Sequence, residues 1–194
     1  MVRPGRDMLS GQVEVDETYV GGEEKGTRGR KSETKSIVVV AIEVHSQKGF
    51  GRVRLRQVPD LTEASLVGFI KAVVAPGSTV ITDGWTGYNN LATYGYNHIR
   101  RVQTCNPDPT HVVLPGPHRI ASLLKRWLLG THHGSFSYEH LDYYLDEYTF
   151  RFNRRSSKAR GLLFYRLVEQ AVCVKPLTYR GIVGGILNSG SNTT

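Results

Sequence analysis

The sequence contains no long hydrophobic run. Its longest unbroken apolar stretch, Ile37 to Ile42, is six residues, against the roughly 20 needed for a membrane-spanning helix. A transmembrane helix is therefore excluded. Met1 to Arg6 has no apolar core region behind it, which argues against a secretory signal and makes the cytoplasm the expected compartment. Cysteine is nearly missing. Cys105 and Cys173 stand alone, which excludes a zinc ribbon and a disulfide framework. There is no internal repeat, and 194 residues suit one domain of typical size or slightly more.

Acidic residues are scarce in the second half. Residues 1–97 carry 12 basic and 11 acidic side chains, and residues 98–194 carry 13 and 6. Nearly all of the net +8 charge therefore lies in the C-terminal half. A one-sided basic surplus points to a polyanionic partner, because phosphate contacts dominate nucleic-acid affinity. The plainer alternative is a basic solvated surface.

The hydrophobic pattern has period two at first. In Gln12 to Val20, Val13 and Val15 alternate with Glu14 and Asp16, the pattern of a half-buried strand. Gly21-Gly22 ends it, and a polar, basic connection follows to Lys35. Ser36 to His45 is a β-branched run suited to a central strand. Ser46 to Gly49 reads as a turn, and Phe50 to Val58 alternates again with Arg52, Arg54 and Arg56 on one face. Three strands with short links form an antiparallel meander.

The period then changes. Thr62 can cap a helix carrying Leu66, Phe69, Ile70 and Val73, with Pro76-Gly77 beyond its end. Ser78 to Thr82 is a short buried strand running into Asp83. A short helix through Tyr88 and Leu91, a fifth strand around His98 to Gln103, and a loop over Cys105 to Leu114 follow. From Pro117 three helices are expected. The first has an Ile120, Leu123, Leu124, Trp127 and Leu128 stripe and stops at Gly130. The second carries Leu141, Leu145 and Tyr148, and the third carries Leu162 and Leu163. Frayed residues are expected at the end. This order packs naturally as an α/β, mixed five-stranded sheet flanked by helices.

Asp16 lies on the polar face of the first strand, and Asp83 ends the fourth, where ligands tend to bind in α/β sheets. If those strands are neighbours, the two carboxylates converge and offer hard oxygen ligands to divalent metals. Taken singly, each aspartate reads more readily as structural, Asp83 as a turn former. His118 and Lys125 are seven residues apart, two helical turns, and share a face away from the apolar stripe. Glu17 follows Asp16, so strand alternation points it to the opposite face and leaves it outside the set.

Four stretches in order are recognisable: Val-Asp-Glu-Thr-Tyr-Val-Gly-Gly (15–22), Thr-Asp-Gly-Trp-Thr-Gly-Tyr (82–88), His-Arg-Ile-Ala-Ser-Leu-Leu-Lys-Arg-Trp-Leu-Leu-Gly-Thr-His-His-Gly (118–134), and Phe-Arg-Phe-Asn-Arg-Arg (150–155). Together the chain resembles the catalytic domain of DDE-type insertion-sequence transposases, in the ISXO-like branch. The resemblance implies an RNase H-like fold over residues 12–172, with a short extension at 1–11 and a tail at 173–194. It implies that Asp16, Asp83 and His118 are catalytic and hold two divalent metals, Mg²⁺ or Mn²⁺. Lys125 matches the basic residue expected two turns beyond the third position.

The implied reaction is DNA strand cleavage and strand transfer at insertion-sequence ends, by a homo-oligomer acting on double-stranded DNA in the cytoplasm, at the nucleoid. The neutral imidazole of His118 suits Mn²⁺, Zn²⁺ or other transition metals better than Mg²⁺, which prefers oxygen. Relatives of this kind carry an N-terminal zinc ribbon and helix-turn-helix, and no cysteine pair precedes Val13. A catalytically silent DNA-binding remnant and an RNase H-like nuclease are the alternatives. Lys125, Arg126, His132, His133, Arg151, Arg154 and Arg155, with Lys158 and Arg160 beside them, are candidate DNA contacts. A solvated charged face is the rival reading for the arginine cluster.

Overall fold

The computed structural model describes residues 6–21, 35–45, 49–102, 113–133, 138–174, 176 and 178. The basic connection over residues 24–34, the turn at 46–48, the loop over 105–112 and the end of the tail lie outside the described residues.

Five strands form: β1 (Gln12–Gly21), β2 (Lys35–His45), β3 (Gly49–Val58), β4 (Thr79–Thr82) and β5 (Asn97–Arg100). Their order is β3-β2-β1-β4-β5. The first three pair antiparallel as a meander, and β1–β4 and β4–β5 pair parallel. This is the mixed five-stranded sheet that the element order predicts, and β1 and β4 are neighbours.

Both faces of the sheet are covered. On one, Val13, Val15, Val39 and Ala41 meet α1 (Glu63–Val73) through Leu66, Phe69, Ile70 and Val73. On the other, Val38, Val40, Ile42, Val53 and Leu55 meet α2 (Pro115–His132) and α3 (Leu141–Asn153). The second core is built from Ile120, Leu124, Leu128, Leu141 and Leu145. Each such side chain contributes about 1.5–3 kcal/mol on full burial. Strand alternation therefore turns Val13 and Val15 toward α1, and Glu14 and Asp16 toward α2.

Helix α1 starts as expected. The Thr62 hydroxyl accepts from the Ser65 N–H, and the Asp60 carboxylate accepts from Thr62 and Ser65. Several boundaries differ from expectation: β5 ends at Arg100, short of Gln103, and α2 begins at Pro115 rather than Pro117. The short helix after Asp83 is instead two 3₁₀ turns, Thr86–Tyr88 and Leu91–Tyr94. Helix α2 passes through Gly130 to His132, because the left-handed position that ends it falls on His133 (φ 51°).

β3 is an edge strand, and α3 covers its outer side with side chains. The Asn153 amide accepts from Val53 N–H at 2.8 Å and donates to Val53 C=O at 3.1 Å, repeating a ladder pair. Asp142 accepts from Gln57 N–H. This satisfies edge groups that would otherwise invite another strand.

The compact body is Asp7–Ser156. A second unit comprises Met1–Arg6 and Ser157–Thr194. Its helix α4 (Gly161–Val172) buries none of its described side chains. Among the described residues no helix is long and apolar enough to cross a membrane.

Candidate metal centre

The β1–β4 register brings the two aspartates together. Val13 stands opposite Val80 and Glu14 opposite Ile81. Extending the parallel register by two residues sets Asp16 opposite Asp83, just beyond the end of β4. Each carboxylate is oriented by its own backbone. Asp16 Oδ1 accepts from Glu17 N–H at 2.9 Å, and Asp83 Oδ1 accepts from Trp85 N–H at 2.9 Å.

Glu17 joins them, contrary to the expectation from strand alternation. One carboxylate oxygen from each of Asp16, Glu17 and Asp83 lies within 4.8 Å of the others. The physical reason is the shortness of β4. No ladder flanks β1 beyond Glu14 on that side, so side chains from both faces can reach the open end. Glu17 does start on the opposite face, where the phenol of fully buried Tyr88 donates to its Oε2 at 3.2 Å. Burial, then the Glu17 charge, raises the Tyr88 pKa well above its ordinary value and keeps that phenol a donor. The sequence signal is the short fourth strand followed at once by Asp83.

The third expected position lies beside the pair. His118 Nε2 is 3.6 Å from Asp16 Oδ2. His118 and Lys125 line one cleft of about 410 Å³ between β1 and α2, with Asp16, Glu17, Thr18 and Ser122. The shared helix face read from their spacing is thus the cleft face. Burial, then the Lys35 charge, holds the Lys125 pKa below the usual lysine value.

Burial pushes the Asp16 pKa up to about 7, and the negative charges of Glu17 and then Asp83 add to the rise. Three carboxylates form a hard oxygen donor set of the kind divalent cations take. The donor set therefore fits a divalent metal, whose charge would offset both the burial cost and the repulsion that raise the Asp16 pKa. The His118 ring nitrogen lies beside this three-carboxylate cluster, on the Asp16 side.

The other candidate side chains are engaged in different ways. Arg126 is exposed on α2. His132 packs its ring on Tyr144 and Trp127, with centroids at 4.5 and 5.3 Å, and His133 is the exposed residue ending the helix. Arg151 pairs with Glu147 at 2.8 Å. Arg154 lies over the Phe150 ring. Arg155 donates to the carbonyls of Phe50 and Gly51 and lies over Phe152, tying α3 to the β3 edge. Lys158 and Arg160 are exposed.

An uncharacterized transposase-like protein of Haemophilus influenzae is 28% identical over 112 residues, covering 58% of this chain and 89% of that protein. Among solved structures, the catalytic core domain of BIV integrase matches with a TM-score of 0.48 and 17% identity, over 84% of this chain and 97% of that one. A chain of the simian T-cell lymphotropic virus intasome, in complex with PP2A regulatory subunit B56 gamma, matches with a TM-score of 0.49 and 14% identity. That match covers 82% of this chain and 55% of the other, so the present chain spans about half of its length. The model of the ISXO2-like transposase domain matches residues 8–153. It takes in β1 through α3, including Asp16, Asp83 and His118, and the chain belongs to the ISXO2-like transposase domain family.

Proposed function

We propose that this chain is a transposase catalytic domain that cleaves DNA strands and transfers them to a new site, using divalent metal held at the end of β1. The observation that carries the reading is the convergence of the Asp16, Glu17 and Asp83 carboxylates, two of which, Asp16 and Glu17, line a cleft with His118 and Lys125. Asp16, Asp83 and His118 would hold the metal, Mg²⁺ or Mn²⁺, with Glu17 as a further oxygen donor. When bound, such a cation supplies Lewis-acid stabilisation of charge on a phosphodiester and eases deprotonation of the attacking water or 3′-hydroxyl.

The protein's own groups do the positioning. The Glu17 and Trp85 N–H groups fix one oxygen of each aspartate, and the second Asp16 oxygen faces His118. His118 orients the Asp16 carboxylate from the α2 side. Lys125, two turns farther along the cleft, takes a phosphate of the DNA strand, and exposed Arg126 adds a backbone contact. The partners are double-stranded DNA, as transposon ends and as target, and further copies of this chain. The setting is the bacterial cytoplasm, at the nucleoid.

The test is nicking of supercoiled plasmid in Mg²⁺ and in Mn²⁺ by the wild-type chain and Asp83→Ala. Metal-dependent nicking that disappears in the variant supports the reading. DNA binding by a folded wild-type chain with no nicking in either metal overturns it in favour of a silent DNA-binding domain.

A further inference from the structure

Helix α2 begins with an unusual set of backbone donors. The first turn of any helix leaves its N–H groups without intrahelical partners. Here the start reads Pro115-Gly116-Pro117, and proline has no N–H. Gly116 therefore carries the one N–H among the first three helical residues. Leu114, at the cap position, makes no side-chain cap. The partner comes instead from the sheet: Glu14 Oε2 accepts from Gly116 N–H at 2.8 Å, across 102 residues of sequence.

The fit around this bond is close. Glu14 is buried, 2% exposed. A Cβ placed on Gly116 would lie 2.7 Å from Glu14 Oε2 and 2.7 Å from Ile42 Cγ2. Only glycine lets the helix backbone come so near the sheet. The other Glu14 oxygen, Oε1, faces Arg101 Nη1 at 3.6 Å, and the same Nη1 donates to Val113 C=O at 2.9 Å. A carboxylate at a helix N-terminus also interacts favourably with the helix dipole.

The spacing repeats on both elements. Glu14 and Asp16 are two apart on one face of β1, and Gly116 and His118 are two apart at the start of α2. The Glu14–Gly116 bond stands next to the Asp16–His118 approach at 3.6 Å. We propose that Glu14 is a positioning residue: its carboxylate caps α2 from within the sheet and sets the register that brings His118 and Lys125 over Asp16. Arg101 braces the same carboxylate from the β5 side. This role rests on the catalytic reading above, but the bond itself exists without metal or DNA.

The test compares Glu14→Gln, Glu14→Ala and Gly116→Ala in the full chain by two readouts. The first is hydrogen–deuterium exchange of the residue 116 amide in metal-free protein. The second is nicking turnover measured beside Mn²⁺ affinity. Glu14→Gln keeps an acceptor and retains slow amide exchange and most of the turnover. Glu14→Ala and Gly116→Ala lose amide protection, and turnover falls about 100-fold, the order that a 1 Å misplacement can bring, while Mn²⁺ still binds to the Asp16, Glu17 and Asp83 carboxylates, weaker only by the share that His118 contributes. Recovery in Glu14→Gln separates positioning from a general loss of fold.

Unchanged amide protection in folded Glu14→Ala overturns the proposal, and so does lost protection with unchanged turnover. A wild-type chain that does not nick in any metal contradicts the catalytic reading instead. In that case the amide exchange alone decides whether Glu14 caps α2.

Discussion

Replacing Asp16 by asparagine in metal-free protein should stabilise the fold, and more so at high pH. The Asp16 carboxyl has its pKa pushed up from 3.8 to about 7, by burial first and then by the Glu17 and Asp83 charges. Between those two pH values the folded state holds a proton that the unfolded chain releases, so stability falls as pH rises through this window. Above pH 7 the whole penalty applies. At about 1.36 kcal/mol for each pH unit between the two values, it amounts to roughly 4 kcal/mol. The asparagine side chain carries no charge, yet its Oδ1 can still accept from the Glu17 N–H, so the local backbone geometry is kept.

The assay is urea unfolding in EDTA at pH 5 and pH 8. The variant's advantage over wild type should grow by about 2–3 kcal/mol between them, or roughly 1 M in urea midpoint for a domain of this size. An advantage of equal size at both pH values would refute the reasoning. So would a variant less stable than wild type at pH 8.

Other expectations concern neighbouring parts of the molecule. Mn²⁺ should raise the melting temperature of wild type at pH 8 and not that of Asp16→Asn, measured by differential scanning fluorimetry, because the cation binds the ionised Asp16 carboxylate and offsets the cost of its buried charge. Asn153→Leu removes both hydrogen bonds to Val53 and should cost about 1–3 kcal/mol in chemical denaturation, with Mn²⁺ binding unchanged. Arg126→Ala should lower the salt-dependence slope of DNA binding by about one, as expected for one lost phosphate contact. Arg155→Ala should act chiefly on stability, since its guanidinium serves the carbonyls of Phe50 and Gly51. Filter binding over a salt series, with a melting curve for each variant, separates these two arginines.

Much of the fold is legible in local pattern. The alternation Val13-Glu14-Val15-Asp16 gives both the first strand and the face its carboxylates take. The β-branched run of β2 announces a strand buried on both sides, and the seven-residue step from His118 to Lys125 gives the cleft face of α2. What escapes local reading depends on contacts between distant segments. That β1 and β4 are neighbours follows from sheet order, and sequence alone can state it only as a condition. Alternation leaves Glu17 out because it holds inside a ladder, whereas β1 has lost its β4 partner by that point.

The fourth recognisable stretch carries a similar lesson. Arg155 looks like part of a basic surface, but it and Asn153 both satisfy the backbone of edge strand β3. That duty is invisible until α3 is known to lie there. The end of α2 differs from expectation for a simpler reason. Gly130 is tolerated inside the helix, and a histidine takes the left-handed position three residues later.

The central claim is that the carboxylates at the open end of β1 form a metal centre. Its most direct test is a Mn²⁺ titration of the metal-free chain at pH 8, followed by electron paramagnetic resonance of the free ion, for wild type and for the Asp16→Asn, Asp83→Asn double variant. The account predicts saturable binding to wild type and loss of that binding in the folded double variant. Equal Mn²⁺ uptake by the two proteins would contradict it.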